Sequence, residues 1–188
     1  MKATDVANYL VYLLSDVCED LSNMKLNKLV YYAQGYHCRR FATPFFDDAI
    51  EAWEHGPVVP SVYAQYKQKG NAPISEWDQA RVDAMPDEDA DLLVDVARVY
   101  GRYTAAALRN MTHQLGGPWD QSYVSGQYRT VIPIGVIEEF FESDKVQEID
   151  LQIPEPADED CIGYRDAEGV FVLPKEWDDG EIDESKAV

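Results

Sequence analysis

The chain has 188 residues, 46% apolar and 12% aromatic, enough for one core of ordinary size with room for an appendage. Its formal charge of −19, from 35 acidic against 16 basic residues, repels phosphate backbones and excludes direct nucleic-acid binding as the expected role. Cys18, Cys38 and Cys161 are odd in number and widely spaced, so free buried thiols in a reducing cytoplasm are expected rather than a disulfide scaffold. The start shows no basic-then-apolar signal pattern, and no apolar run approaches the ~20 residues of a membrane span.

Val6, Tyr9, Leu10, Leu13, Leu14 and Val17 recur at helical spacing, which predicts a helix over 5–16 with Thr4 as N-cap. Ser22 or Asn23 caps a second helix, whose inward stripe is Leu26, Leu29, Val30, Ala33 and Tyr36. Phe41-Ala42-Thr43-Pro44 ends it, because the residue before a proline is pushed out of the helical region. Ile50, Ala52 and the alternating Trp53-Glu54 then suit a short strand. Gly56 accommodates a positive φ and Pro57 fixes its own, so the two read as a sharp structural turn. Pro60 fits the first turn of a third helix, with Val62, Tyr63 and Tyr66 inward.

Residues 71–86 read as irregular loop. Pro86-Asp87-Glu88-Asp89 opens another helix, its carboxylates complementing the positive end of the helix dipole. Leu92, Leu93, Val96, Val99, Tyr100 and Tyr103 give its inward face, and Gly101 is its candidate C-cap. Thr104 caps a further helix through Leu115, which Gly116-Gly117-Pro118 terminates. The last helix of the body begins at Pro133 and carries Val136, Ile137, Phe140 and Phe141.

Beyond residue 141 the character changes, with 16 acidic residues against 4 basic. Residues 149–153 alternate like a strand, and 162–164 with 170–173 flank Asp166-Ala167-Glu168-Gly169 as a hairpin would. The acidic run 178–188 is expected to fray.

Chemistry-bearing patterns are sparse. His37-Cys38 with Cys18 matches no zinc spacing, and neither cysteine is placed beside a base that would make it a nucleophile. Asp47-Asp48, Asp87-Glu88-Asp89 and Asp158-Glu159-Asp160 do not follow the calcium-loop pattern and read as solvated faces. No phosphate loop or nucleophile elbow is present, so neither catalysis nor a metal or other cofactor is expected.

Four segments in order carry a family resemblance: Lys25-Leu26-Asn27-Lys28 through Tyr36-His37, Trp53 through Tyr63, Leu108 through Trp119, and Ile132-Pro133 through Phe141. Together they resemble the Panacea domain of SocA-like antitoxins, also known as phage-associated or GepA-type proteins. The resemblance covers 1–143 and leaves 144–188 as an acidic C-terminal extension with a β-hairpin. It implies a mainly α, compact helical domain with a short strand or hairpin element. It also implies a cytoplasmic antitoxin that neutralises a toxin encoded beside it by direct contact, or delivers that toxin to a cytosolic protease.

Trp and Tyr dominate binding hot spots, and histidines beside the motifs add polar reach. Tyr32, Trp53, His55, Tyr63, His113 and Trp119 are therefore the partner-binding candidates, with core packing as the alternative for Trp53 and Trp119 and loop hydrogen bonding for the histidines. A second function class is an acidic nucleic-acid mimic or phage accessory protein that blocks a DNA- or RNA-binding enzyme. A mimic would spread its carboxylates along one continuous face, whereas here they concentrate in the last quarter of the chain.

Overall fold

The second helix is the axis around which the other elements pack. The computed structural model describes residues 1–70, 72–127, 129–143, 146, 164–165 and 171–172. Helix α2, Asn23–Phe41, is buried on nearly every side from Asn23 to Cys38. It packs against α1 (Ala3–Leu14), α5 (Asp87–Tyr100), α6 (Ala105–Thr112) and α8 (Ile134–Glu142). The protein is mainly α, with a small antiparallel sheet of three strands: β1 (Glu51–Trp53), β2 (Gly56–Val58) and β3 (Thr130–Val131), in the order β2-β1-β3.

A helix with no solvent face must satisfy its polar side chains internally. Gln34 does so by accepting from the amides of Phe45 and Phe46 and donating to the Phe46 carbonyl, which templates the chain after the helix. Asn27 donates to Asn23 and accepts from the Val59 amide at 3.0 Å, fixing the entry to α3 (Pro60–Tyr66). Lys25 is 1% exposed, and its ammonium lies 2.6 Å from the Asp20 carboxylate and 3.0 Å from Cys18 Sγ. Burial lowers its pKa, but these two partners more than offset that and raise it overall.

Gly35 is where α2 and α8 touch. A Cβ there would overlap the Phe141 ring, which sits edge-on to Tyr31 and Tyr36 in the aromatic core. Ser22 caps α2 and Thr104 caps α6, as expected; Pro60 and Pro133 stand at the openings of α3 and α8.

The structure corrects several expectations. Thr4 lies inside α1, which begins at Ala3; the Ala3 amide donates instead to the distant Asp48 carboxylate at 3.1 Å. Asp48 also accepts from the Ser61 hydroxyl at 2.6 Å, so it ties the starts of α1 and α3 together rather than forming a solvated pair with Asp47. The loop expected over 71–86 contains α4 (Gln79–Asp83), capped by Asp78, whose backbone is held by both polar atoms of the Asn8 amide. The sixth helix stops at Thr112 rather than Leu115, and a further short helix, α7 (Pro118–Ser122), follows.

The chain divides into two units, Met1–Ile149 and Asp150–Val188. Val146 belongs to the first: its side chain is buried there, and its carbonyl accepts from Arg39 Nη1 at 2.9 Å. In the second unit, β4 (Tyr164–Arg165) and β5 (Phe171–Val172) pair antiparallel, the partners expected of the hairpin. The strand expected over 149–153, the triplet 158–160, Cys161 and the run 178–188 lie outside the described residues. Among the described residues no helix is long and apolar enough to cross a membrane.

Candidate functional site

The β1–β2 hairpin reverses at Glu54-His55, not at Gly56-Pro57. Gly56 pairs with Trp53 and Pro57 with Ala52, so both belong to the returning strand. Gly56 has a φ of 97°, and a Cβ on it would lie 2.8 Å from Thr112 Oγ1 and 2.9 Å from Lys28 Nζ. Glycine is thus required twice: for the left-handed backbone and for the close approach of α2 and α6 beneath the hairpin.

Above this contact opens a cleft of about 920 Å³. The hairpin contributes Trp53 and His55, α3 contributes Tyr63, and the chain after α7 contributes Tyr123 and Arg129. Trp53 and Tyr63 meet edge to face with ring centroids 4.9 Å apart. Tyr63 is 40% exposed, so the inward stripe of α3 is Val62 and Tyr66 alone, and Tyr63 stands at the cleft rim.

The cleft also reaches Lys28, 1% exposed. Its ammonium donates to the Pro57 carbonyl at 2.9 Å, and among the described residues it has no carboxylate within ion-pair distance. Burial pulls its pKa down to about 7, and the Arg109 guanidinium adds repulsion. The contrast with Lys25, equally buried but ion-paired, is direct.

The six partner-binding candidates separate into three groups. Trp53, His55 and Tyr63 come together around the cleft. His113 and Trp119 brace the hairpin from the helices: the Trp119 indole donates to the Trp53 carbonyl at 2.7 Å, and the His113 ring packs edge-on against Trp119 at 3.7 Å. His113 also bonds through Nδ1 to the Arg109 carbonyl at 2.6 Å. Tyr32 lies elsewhere, stacked on Tyr100 at 3.9 Å beside a smaller cleft of about 290 Å³. His37 stacks on Phe45 at 4.4 Å, with Nδ1 bonded to the Thr43 carbonyl at 2.7 Å. Cys18 and Cys38 are free and buried; burial pushes the Cys38 thiol up to about 11.

Sequence reasoning missed Lys28. Its signal is indirect. Leu26, Leu29, Val30, Tyr31, Tyr32 and Ala33 spread apolar groups around the whole helix, which leaves no solvent face for an interspersed lysine.

The fold and cleft define a helical protein whose hairpin is stapled over a buried lysine, with no group of three His, Cys, Asp or Glu placed to hold a metal among the described residues. Residues 26–120, which carry the cleft's helix, hairpin and bracing tryptophan, match the family described as antitoxin SocA-like, Panacea domain. The chain belongs to that family. Over 128 residues it is 32% identical to Antitoxin SocA of Caulobacter vibrioides (strain NA1000 / CB15N), covering 63% of this chain and 68% of the relative. No solved structure matches it.

Proposed function

We propose that this protein is an antitoxin that neutralises a cognate toxin, encoded next to it, by direct protein–protein contact in the cytoplasm. The observation that carries this reading is the similarity to Antitoxin SocA together with a family match that spans the hairpin and its supporting helices. Trp53, His55 and Tyr63 at the cleft rim are the contact surface we favour, since partly exposed aromatic side chains on a braced hairpin and the adjoining α3 lose little freedom on binding. Neutralisation then follows from occlusion of the toxin's active site or stabilisation of an inactive toxin conformation, and it needs no catalytic group on the antitoxin.

Co-expression with the neighbouring gene's product tests the reading: growth should be restored and the two proteins should co-purify. A neighbour that is harmless when expressed alone, or rescue without physical contact, refutes it. Toxin half-life separates two mechanisms within the same reading. Occlusion leaves the half-life unchanged or longer, whereas delivery to a cytosolic protease shortens it.

A further inference from the structure

The rim of the cleft serves the antitoxin reading, but its floor does not. Its volume of about 920 Å³ falls within the ~300–1,000 Å³ of small-molecule sites. Its walls include three aromatic rings, Trp53, Tyr63 and Tyr123. In a chain of net charge −19, its ionised groups are mainly cationic: Lys28, Lys67 and Arg129 against Glu54.

Lys28 gives the cleft floor its chemistry. An ammonium has three N–H donors, and among the described residues Lys28 makes one hydrogen bond, to the Pro57 carbonyl. It is held 1% exposed beneath the cleft, and among the described residues no carboxylate balances it. Arg109, on the adjoining helix, adds positive potential, and its Nε is itself buried with no hydrogen-bond partner among the described residues. A buried amine in this state either gives up its proton or is completed by an anion that restores its charge. Three cations also exceed what one carboxylate balances, whereas a phosphate ester carries about −1.5 to −2 and three acceptor oxygens.

We propose that this cleft binds a nucleoside phosphate, its base packed among Trp53, Tyr63 and Tyr123 and its phosphate held by Lys28 at the floor with Lys67 and Arg129 at the mouth. Base–aromatic stacking and charge-assisted hydrogen bonds are then combined in one site. The phosphate favours the protonated amine, so binding takes up a proton at Lys28 and weakens as pH rises above about 7. The groups facing Lys28 and the cleft are Arg109 and Thr112 from α6, Glu54 and His55 from the hairpin, and Lys67 and Arg129 at the mouth. His55→Gln, which removes the imidazole from the cleft lining, is the control for the pH profile.

The site shares Trp53 and Tyr63 with the rim favoured for toxin contact, but ligand binding is read on the protein alone, so its failure is distinguishable from failure of toxin rescue. The full chain is titrated calorimetrically with AMP, GMP, CMP and UMP, with adenosine and inorganic phosphate as half-ligands. At least one monophosphate should saturate a single site. Adenosine and phosphate should each bind at least tenfold more weakly, and the nucleotide affinity should drop about tenfold between about pH 7 and about pH 8.5 in the wild type and in His55→Gln. Lys28→Met should lose at least tenfold in affinity and flatten the pH profile. Joint replacement of the exposed Lys67 and Arg129 by alanine should weaken binding with the pH profile intact. Melting curves report folding, and if Lys28→Met is unfolded the Lys67/Arg129 pair and Tyr63→Ala carry the test. The proposal is overturned if no monophosphate saturates, or if binding persists at full strength in the folded variants.

Discussion

Replacing Lys28 by methionine removes the ammonium but keeps an unbranched stem, and it should make the folded protein more stable near neutral pH. The lysine's ordinary value of 10.5 falls to about 7 in the folded chain because burial disfavours its charge. That gap of about 3.5 units corresponds to roughly 4–5 kcal/mol of penalty when the group is protonated in both states. Methionine avoids the penalty but leaves the Pro57 carbonyl without its donor, a loss of about 1–3 kcal/mol. The net expectation is a gain of about 2 kcal/mol at pH 7. Below about pH 7 the wild type bears the full penalty. Between about 7 and 10.5 the unfolded chain binds a proton that the folded chain does not, so wild-type stability rises with pH by up to ~1.4 kcal/mol per unit. The useful window closes near pH 9, where the Cys18 and Cys38 thiols, raised by burial, begin to oppose the trend. Urea unfolding of both proteins at about pH 6, 7 and 8.5 should show the variant's advantage shrinking by roughly 1–2 kcal/mol across the upper interval. Parallel stability curves, or a variant less stable at pH 6 than the wild type, would refute the picture of an unbalanced buried lysine.

Three further outcomes are expected. Gly56→Val forces a β-branched residue into a positive φ and against Thr112 and Lys28, so urea unfolding should show a loss of about 2–5 kcal/mol; an unchanged midpoint would mean the hairpin relaxes freely. A chain ending at Ile149 should unfold cooperatively like the full body, whereas one ending at Ser143 should be weaker by about 1–3 kcal/mol, because it lacks Val146 and the carbonyl that accepts from Arg39; equal midpoints would place the limit at Ser143. Stopped-flow association with the toxin should slow with salt while dissociation stays constant, since an acidic extension steers a basic partner over about 8–10 Å; a tenfold rise in off-rate on neutralising Asp178, Asp179, Glu181, Asp183 and Glu184 together would instead assign them direct contacts.

Local chemistry made much of this protein legible in its sequence. Ser22 and Thr104 as caps, Pro60 and Pro133 at helix openings, and the acidic first turn of α5 each act within a few residues of themselves, and the apolar stripes repeat at helical spacing, so α1, α2, α3, α5, α6 and α8 and their family order could be read directly. Tertiary structure alone decided what depends on partners far along the chain. Strand β3 is two residues long and exists because it pairs with β1, and α4 is positioned by Asn8, 70 residues before its cap. The site follows the same division. Trp53 and Tyr63 announce themselves as aromatic candidates, but whether an aromatic residue faces a cleft or braces a hairpin is set by packing: Trp119 reaches Trp53 across 66 residues of sequence. Lys28 shows the limit most plainly, because a lysine in a helical pattern is solvated by default. Only the convergence of α6 and the Gly56 backbone on its face takes the water away and turns an ordinary surface residue into an unbalanced buried cation.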